Sequence, residues 1–327
     1  MLPNVVIAGA PRCGTTSLFA WLVAHPDVCG SNVKEPCYLL DPDDPLFKKK
    51  SNFRDHGLDG YRSYFEGCRG MDAKVVLEAT PVYIYQRTAL QVLAGFDPVP
   101  QIVFVFRKPS ERIYSHFTFL RDSHARIDSD MSFGDFVELV STGNERVPKY
   151  GHAKDVIAHS RYVDYLPVWL ERFPPSHLHY FLFEDLREDA RAFASMVAGR
   201  LGISPSFYDS YTFPRKNRTI RIRNQWVHRT RRAIGRRLPA TTRKRLKALT
   251  ARTYALVNVD RSLIRRTGED EQILAELDRE FEPYNERLAE VTGLDLTAWD
   301  RAAPTTSVAL APGVDRMADP HRGTDAP

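Results

Sequence analysis

Several things are scarce in this chain of 327 residues. It has four cysteines, Cys13, Cys29, Cys37 and Cys68, and no pair has C-x-x-C spacing, so neither a zinc-binding framework nor a dithiol redox motif is expected. No apolar run approaches the roughly 20 residues of a membrane span. The stretch between His56 and Arg107 contains no histidine, which removes the commonest general base from the segment leading into Arg107. A first strand starting at residue 4 leaves no room for a leader peptide, and thiols that need not pair suit a reducing compartment, so a cytoplasmic protein is expected.

What is present reads as one α/β unit. With 43% hydrophobic residues the chain can bury one large core. Apolar runs predict strands near 4–9, 75–78, 101–106 and 178–183. Helical periodicity falls near 15–25, 87–94, 109–124, 132–141, 161–172 and 186–201. That alternation predicts a P-loop-like parallel central sheet with helices on both faces and a helical C-terminal part. A single domain over 1–302 and a disordered tail over 303–327, rich in Ala, Pro, Gly and Asp, are expected. Segment 40–70, with its DPDDP and KKK, reads as an irregular surface excursion and a candidate substrate lip.

Chemistry concentrates in VVIAGAPRCGTTSLFAW, residues 5–21. A β-branched strand enters a loop bracketed by Gly9 and Gly14, and Thr15 and Thr16 then open a helix. Free amides at a helix N-terminus, hydroxyls beside them and a cation in the loop together make an anion cradle. The spacing differs from the nucleotide P-loop G-x-x-x-x-G-K-[ST]: Thr15 occupies the lysine position and the basic residue is Arg12, inside the loop. An NTPase would also need a carboxylate on a neighbouring strand to hold magnesium. Here the strand QIVFVF ends in Arg107 and continues KPSERIYSHF. The predicted site is therefore doubly basic and metal-free.

The order strand, G-x-P-R-x-G-T-T, helix, then later strand, R-x-P-x-x-R-x-x-S, resembles the sulfotransferases that use adenosine 3'-phosphate 5'-phosphosulfate (3'-phosphoadenylyl sulfate, PAPS), nearest their carbohydrate and bacterial branch. VKEPCYL at 33–39 is similar to that branch's K-E-x-H-F-F, LEATPVY at 77–83 to its E-K-T-P-x-Y, and FLFEDL at 181–186 and LTAW at 296–299 also fit. The resemblance implies that Arg12, Cys13, Gly14, Thr15 and Thr16 hold the 5'-phosphosulfate and that Arg107 and Ser115 hold the 3'-phosphate. It further implies that Arg215, Lys216 and Asn217, in FPRKNRTIR, close over that phosphate, and that Glu35 is the base. Three positions depart from the pattern: Arg12 replaces the usual lysine, Cys37 the histidine of K-E-x-H, and Ala79 the lysine of E-K-T-P. Arg12 keeps the charge and can fork onto two oxygens, but it is a poorer proton donor than lysine. The other two changes argue against assuming a heparan-like acceptor.

The reaction this implies is in-line displacement at sulfur by an acceptor hydroxyl on a glycan, lipid or small metabolite. Glu35 takes the proton, and Arg12 with the Thr15–Thr16 region stabilises the leaving phosphate. His116, inside the helix after Arg107, is the competing base. Glu78 can be structural or substrate-facing, Glu184 and Asp185 are expected to cap the helix after their strand, and a thiol at Cys13 would make the protein alkylation-sensitive.

Charge is unevenly placed. Residues 215–247 hold fourteen Lys/Arg and no Asp/Glu, so with a formal net charge of +5 the remainder carries −9. Such a run is a solvated face, or a surface for an anionic acceptor or a membrane. A nucleic-acid-binding protein using this run and a P-loop small-molecule kinase using Mg-ATP are the alternatives. The first leaves the two anion motifs unexplained, and the second lacks a visible carboxylate ligand.

Overall fold

The structure is a computed structural model that describes residues 1–144, 147–148, 150–214, 221–222, 227, 259–260 and 266–300. Arg215, Lys216 and Asn217, most of the basic run and the 303–327 tail lie outside the described residues. Those described fall into two compact units, one built from 1–108, 162–214 and 283–300, the other from the described residues within 109–161 and 217–282.

The first unit is organised by a five-stranded, all-parallel sheet: β1 (Val5–Gly9), β2 (Val28–Gly30), β3 (Val75–Ala79), β4 (Gln101–Phe106) and β5 (Leu178–Leu182). The spatial order is β2-β3-β1-β4-β5. All five residues of β1 and all five of β3 are buried. Runs with no polar alternation belong to a parallel sheet covered on both faces, as the sequence predicts. The cover comes from α1 (Thr15–Val23), α2 (Phe53–Arg62), α3 (Arg87–Ala94), α6 (Leu166–Leu170), α7 (Phe183–Glu188) and α8 (Ala190–Arg200). From β1 the chain leaves toward β2 and β3, whereas from β4 it leaves toward β5. The order therefore reverses between β1 and β4, and the crevice beyond their carboxyl ends is where such sheets bind ligands.

Four predicted strands and the helix over 87–94 are found where the periodicity puts them. Elsewhere local chemistry cuts in. The helix expected over 161–172 is a 3-10 turn (Tyr162–Asp164) followed by α6, because Pro167 falls in the first turn and fixes the start there. The helix expected over 186–201 is two helices. Asp189 leaves helical geometry, and its carboxylate accepts from the Arg191 and Ala192 amides at 2.9 and 3.0 Å to cap α8. Segment 40–70 is not irregular throughout. Asn52 caps α2 by accepting from the Asp55 amide, and the helix kinks at Gly57 before a 3-10 turn over Ser63–Cys68.

Cys68, in that turn, forms a disulfide with Cys29 of β2. The expectation of four thiols with no need to pair is corrected accordingly, and two remain free, Cys13 and Cys37, both buried. Sequence spacing gave no hint of the bond, because the partners lie 39 residues apart and meet only once β2 has joined the sheet.

The second unit contains α4 (Pro109–Thr118), a π turn (Phe119–Ser123), α5 (Phe133–Ser141), a two-residue ribbon of β6 (Arg221–Ile222) and β7 (Val259–Asp260), and the first part of α9 (Gly268–Thr292). Tyr114 and Phe117 pack on Phe133 at 5.0 and 5.5 Å between ring centroids. Arg266 joins α9 to α4 by bonding Glu111 at 2.6 Å and lying 4.6 Å over the Tyr114 ring. No helix among the described residues is long and apolar enough to cross a membrane.

Gly9 ends β1 where the packing is close: a Cβ there would stand 2.8 Å from Phe104 Cδ1 and 3.1 Å from Ile84 Cβ. Gly9→Ala is accordingly expected to cost roughly 1–3 kcal/mol as an overpacked core, read as a lowered urea midpoint with unchanged slope. A stability equal to that of the parent would show that the β1–β4 contact is looser than described.

Candidate active site

The predicted anion loop leaves β1 at Gly9. The Ala10 amide donates to the Val105 carbonyl of β4 at 2.9 Å, so the loop is still stitched to the sheet as it turns. Arg12 has φ +71° and Gly14 φ +80°. A Cβ on Gly14 would lie 2.8 Å from Phe183 Cδ2, so left-handed backbone and a packed ring both demand glycine. No side chain caps α1, and no acidic residue lies in its first turn. The Thr15 and Thr16 end therefore presents amides and a positive dipole to an anion. Thr15 is buried and Thr16 half-buried. Cys13 is fully buried, with its Sγ 3.7 Å from Tyr162 Oη, which overturns the expected sensitivity to alkylation.

Arg107 follows β4 directly. Its guanidinium lies 4.7 Å over the face of Phe183, and its carbonyl accepts from Tyr162 Oη at 2.9 Å. Two residues the sequence reading did not single out thus bind the two anion motifs to each other. Phe183 packs against Gly14 and under Arg107, and Tyr162 reaches both Cys13 and Arg107. Neither carries a spacing signature; FLFEDL pointed to the right segment without saying which ring mattered. Glu184, beside them, accepts from the Lys108 amide at 3.3 Å and from Trp299 Nε1 at 3.0 Å. Its role is structural as expected, but it ties α7 to the Arg107 loop and to Trp299 and makes no N-cap, since α7 has no side-chain cap. Burial pushes its carboxyl up, against the opposing pull of Arg107.

Glu35 is positioned from the other side of β1. Its amide donates to the Ala79 carbonyl at the end of β3 at 2.9 Å, and its carboxylate pairs with the adjacent Lys34. The side chain is 47% exposed, so a substrate can reach it. The loop is docked by backbone contacts. The Cys37 amide donates to Thr80 Oγ1 at 3.3 Å, and the Tyr38 and Leu39 amides both donate to Tyr83 Oη at 3.2 Å. Glu35 and Cys37 have φ of +61° and +53°. Left-handed conformations in non-glycine residues persist only where the surroundings enforce them, and these two join Arg12 at the candidate site. Burial pushes the Cys37 thiol up to about 12, so this cysteine is a neutral packing group.

Beneath that loop lies Glu78, which is fully buried. It accepts from Thr80 Oγ1 at 2.6 Å and from Tyr61 Oη at 2.9 Å. Of its two possible roles, the structure supports the structural one: Glu78 orients Thr80, which holds the Cys37 amide. Desolvation raises its carboxyl to about 7 despite the hydrogen bonds and Lys34, all of which lower it.

β3, β1 and β4 are neighbours in the sheet, with Ile7 opposite Ala79 and Gly9 opposite Phe104. The Arg12–Thr16 loop and Arg107 therefore emerge from the carboxyl ends of β1 and β4, and Glu35, in the loop after β2, is docked on the carboxyl end of β3; these are three adjacent strands whose outer members are about 10 Å apart. Trp21 of α1 donates to the Pro214 carbonyl at 3.3 Å and meets Phe213 at 5.0 Å, so residues 213 and 214 lie against the helix that follows the anion loop. Ser115 lies on α4 in the second unit, half-buried, and its carbonyl accepts from Thr118 Oγ1. His116, the competing base, is buried on the same helix.

Proton linkage at Glu78 has a defined sign. The folded carboxyl binds its proton more tightly than the unfolded chain does, so its contribution to stability is complete below pH about 4.5 and is lost as pH rises through about 7. The difference is on the order of 3 kcal/mol. Subtracting the melting profile of Glu78→Gln from that of the parent over pH 4–8 should leave a decline in this window; a flat difference would place Glu78 in a polar, solvated setting.

The family profile described as "Sulfotransferase domain" matches residues 2–229. The human "Bifunctional heparan sulfate N-deacetylase/N-sulfotransferase 3" is 26% identical over 63% of this chain, which spans only 23% of that protein's length. The human "Heparan sulfate glucosamine 3-O-sulfotransferase 3B1" is 24% identical over 91% of this chain and 65% of its own. Among solved structures, a sulfotransferase from Alicyclobacillus acidocaldarius shares the fold with a TM-score of 0.64 and 22% identity, over 92% of this chain and all of the other.

Proposed function

The chain belongs to the sulfotransferase domain family, and from that premise we propose that it moves a sulfuryl group from 3'-phosphoadenylyl sulfate to a hydroxyl of a glycan, lipid or small metabolite. The observation that carries this reading is the convergence of Glu35, the Arg12 loop and Arg107 on three adjacent strand ends, with one aromatic ring packed against both cationic segments. An uncapped helix start, a glycine no other residue can replace and a cation inside the loop suit a phosphosulfate. That donor supplies a sulfuryl group already bonded to a good leaving phosphate.

The residues divide the work. Amides of the Gly14–Thr16 turn and the Arg12 guanidinium take up the charge that develops on the departing phosphate. Arg107, stacked on Phe183, grips the 3'-phosphate, with Ser115, Arg215, Lys216 and Asn217 as its further partners. Glu35, steadied by Lys34 and held by its amide to Ala79, accepts the proton of the acceptor hydroxyl as that oxygen attacks sulfur from the side opposite the bridging oxygen. Contact of the basic run 215–247 with an anionic acceptor or a membrane surface is part of the same proposal.

Glu35→Gln is expected to lower kcat roughly 10²–10⁴-fold while leaving the affinity for adenosine 3',5'-bisphosphate unchanged. Arg107→Ala should weaken that affinity. Binding of Mg-ATP in place of the bisphosphate, by calorimetric titration, would transfer the chain to kinase chemistry. Undiminished turnover in Glu35→Gln would remove Glu35 as the base.

A cytoplasmic location is part of the same proposal, and the Cys29–Cys68 pair is its test. Thiols trapped by alkylation at the moment of lysis should include both residues if the compartment is reducing. Protection of both until reductant is added would place the protein in an oxidising one.

A further inference from the structure

In the second unit, outside the site described above, His152, Asp155 and His159 converge. They lie on two consecutive 3-10 turns, Tyr150–Asp155 and Ala158–Ser160, at spacings of three and four residues. One potential ligand atom from each lies within 4.8 Å of the other two, and the imidazole centroids are 5.4 Å apart. Tetrahedral zinc, with bonds of about 2.0–2.1 Å, sets its ligands roughly 3.3 Å apart. Closing the difference requires a side-chain rotation, and Asp155, which is exposed, can make the largest one. The sulfuryl-transfer reading uses none of the three.

Arg112 stands near the cluster and repels an incoming cation, although its guanidinium is engaged by the Val156 carbonyl at 3.1 Å and Ser160 Oγ at 2.7 Å. Asp155 supplies the negative charge that offsets it.

We propose that His152, Asp155 and His159 bind one divalent first-row cation of the zinc type, clipping the two 3-10 turns together and leaving a fourth position to water. Two imidazoles and a carboxylate are a donor set that suits zinc or cobalt and is poor for calcium or magnesium.

Untagged protein, stripped with chelator and desalted, is titrated with CoCl2 and followed by its visible d–d absorption, then back-titrated with ZnCl2. One equivalent of Co²⁺, displaced by Zn²⁺, is expected. His159→Asn and Asp155→Asn should each weaken binding by at least about tenfold, the least that losing even a supporting contact costs. Asp155 is exposed, so Asp155→Asn keeps the fold, as near-UV circular dichroism would verify. Absence of Co²⁺ binding by the parent, or parental affinity in Asp155→Asn, overturns the proposal.

Discussion

One ring organises the candidate site. Phe183 fills the space that any side chain at position 14 would need, and its face lies 4.7 Å beneath the Arg107 guanidinium. The two cationic segments come from strands adjacent in the sheet, although Arg12 and Arg107 are 95 residues apart in sequence. A rigid aromatic wedge fixes the spacing of Arg12 and Arg107 loops without placing a carboxylate between them, which would neutralise the charge an anionic donor seeks. Tyr162 adds a hydrogen bond from the same side, and Glu184 secures the base of the wedge through Lys108 and Trp299.

The strands were legible because each is a short apolar run ending at a residue of distinct chemistry, such as Gly9 or Arg107. β2 was not: three residues, Val28–Gly30, carry no periodicity, and the strand exists because β3 offers it an edge. Helix ends were legible where propensity alone decides, as in α3, and illegible where one residue intervenes, as Pro167 and Asp189 do. Within the site, motif spacing pointed to Arg12, Glu35 and Arg107. It could not point to Phe183 and Tyr162, whose roles depend on tertiary contact. The burial of Cys13 was hidden for the same reason: a small residue in an exposed-looking loop turns inward only because Tyr162 and Pro11 are there to receive it. The Cys29–Cys68 bond likewise depends on the placement of α2 and the turn after it, which the two glycines of that helix concealed.

Glu78 shows how one carboxyl is kept inside the fold while its neighbour in space is left open to solvent. Two glutamates lie within one loop and the strand beneath it. The buried one faces two hydroxyl donors and is held near neutrality, and the exposed one faces a lysine. Environment alone distinguishes them. Tyr61, Thr80 and Tyr83 then convert the buried group's fixed position into a fixed path for the loop above it.

That path is held mainly through main-chain atoms: amides of Glu35, Cys37, Tyr38 and Leu39 donate to Ala79, Thr80 and Tyr83. Anchorage of this kind is largely indifferent to which side chains the loop displays. The side chains this loop displays can therefore be exchanged without moving Glu35, and a single lip can be edited while the Arg12 and Arg107 segments keep their places in the sheet.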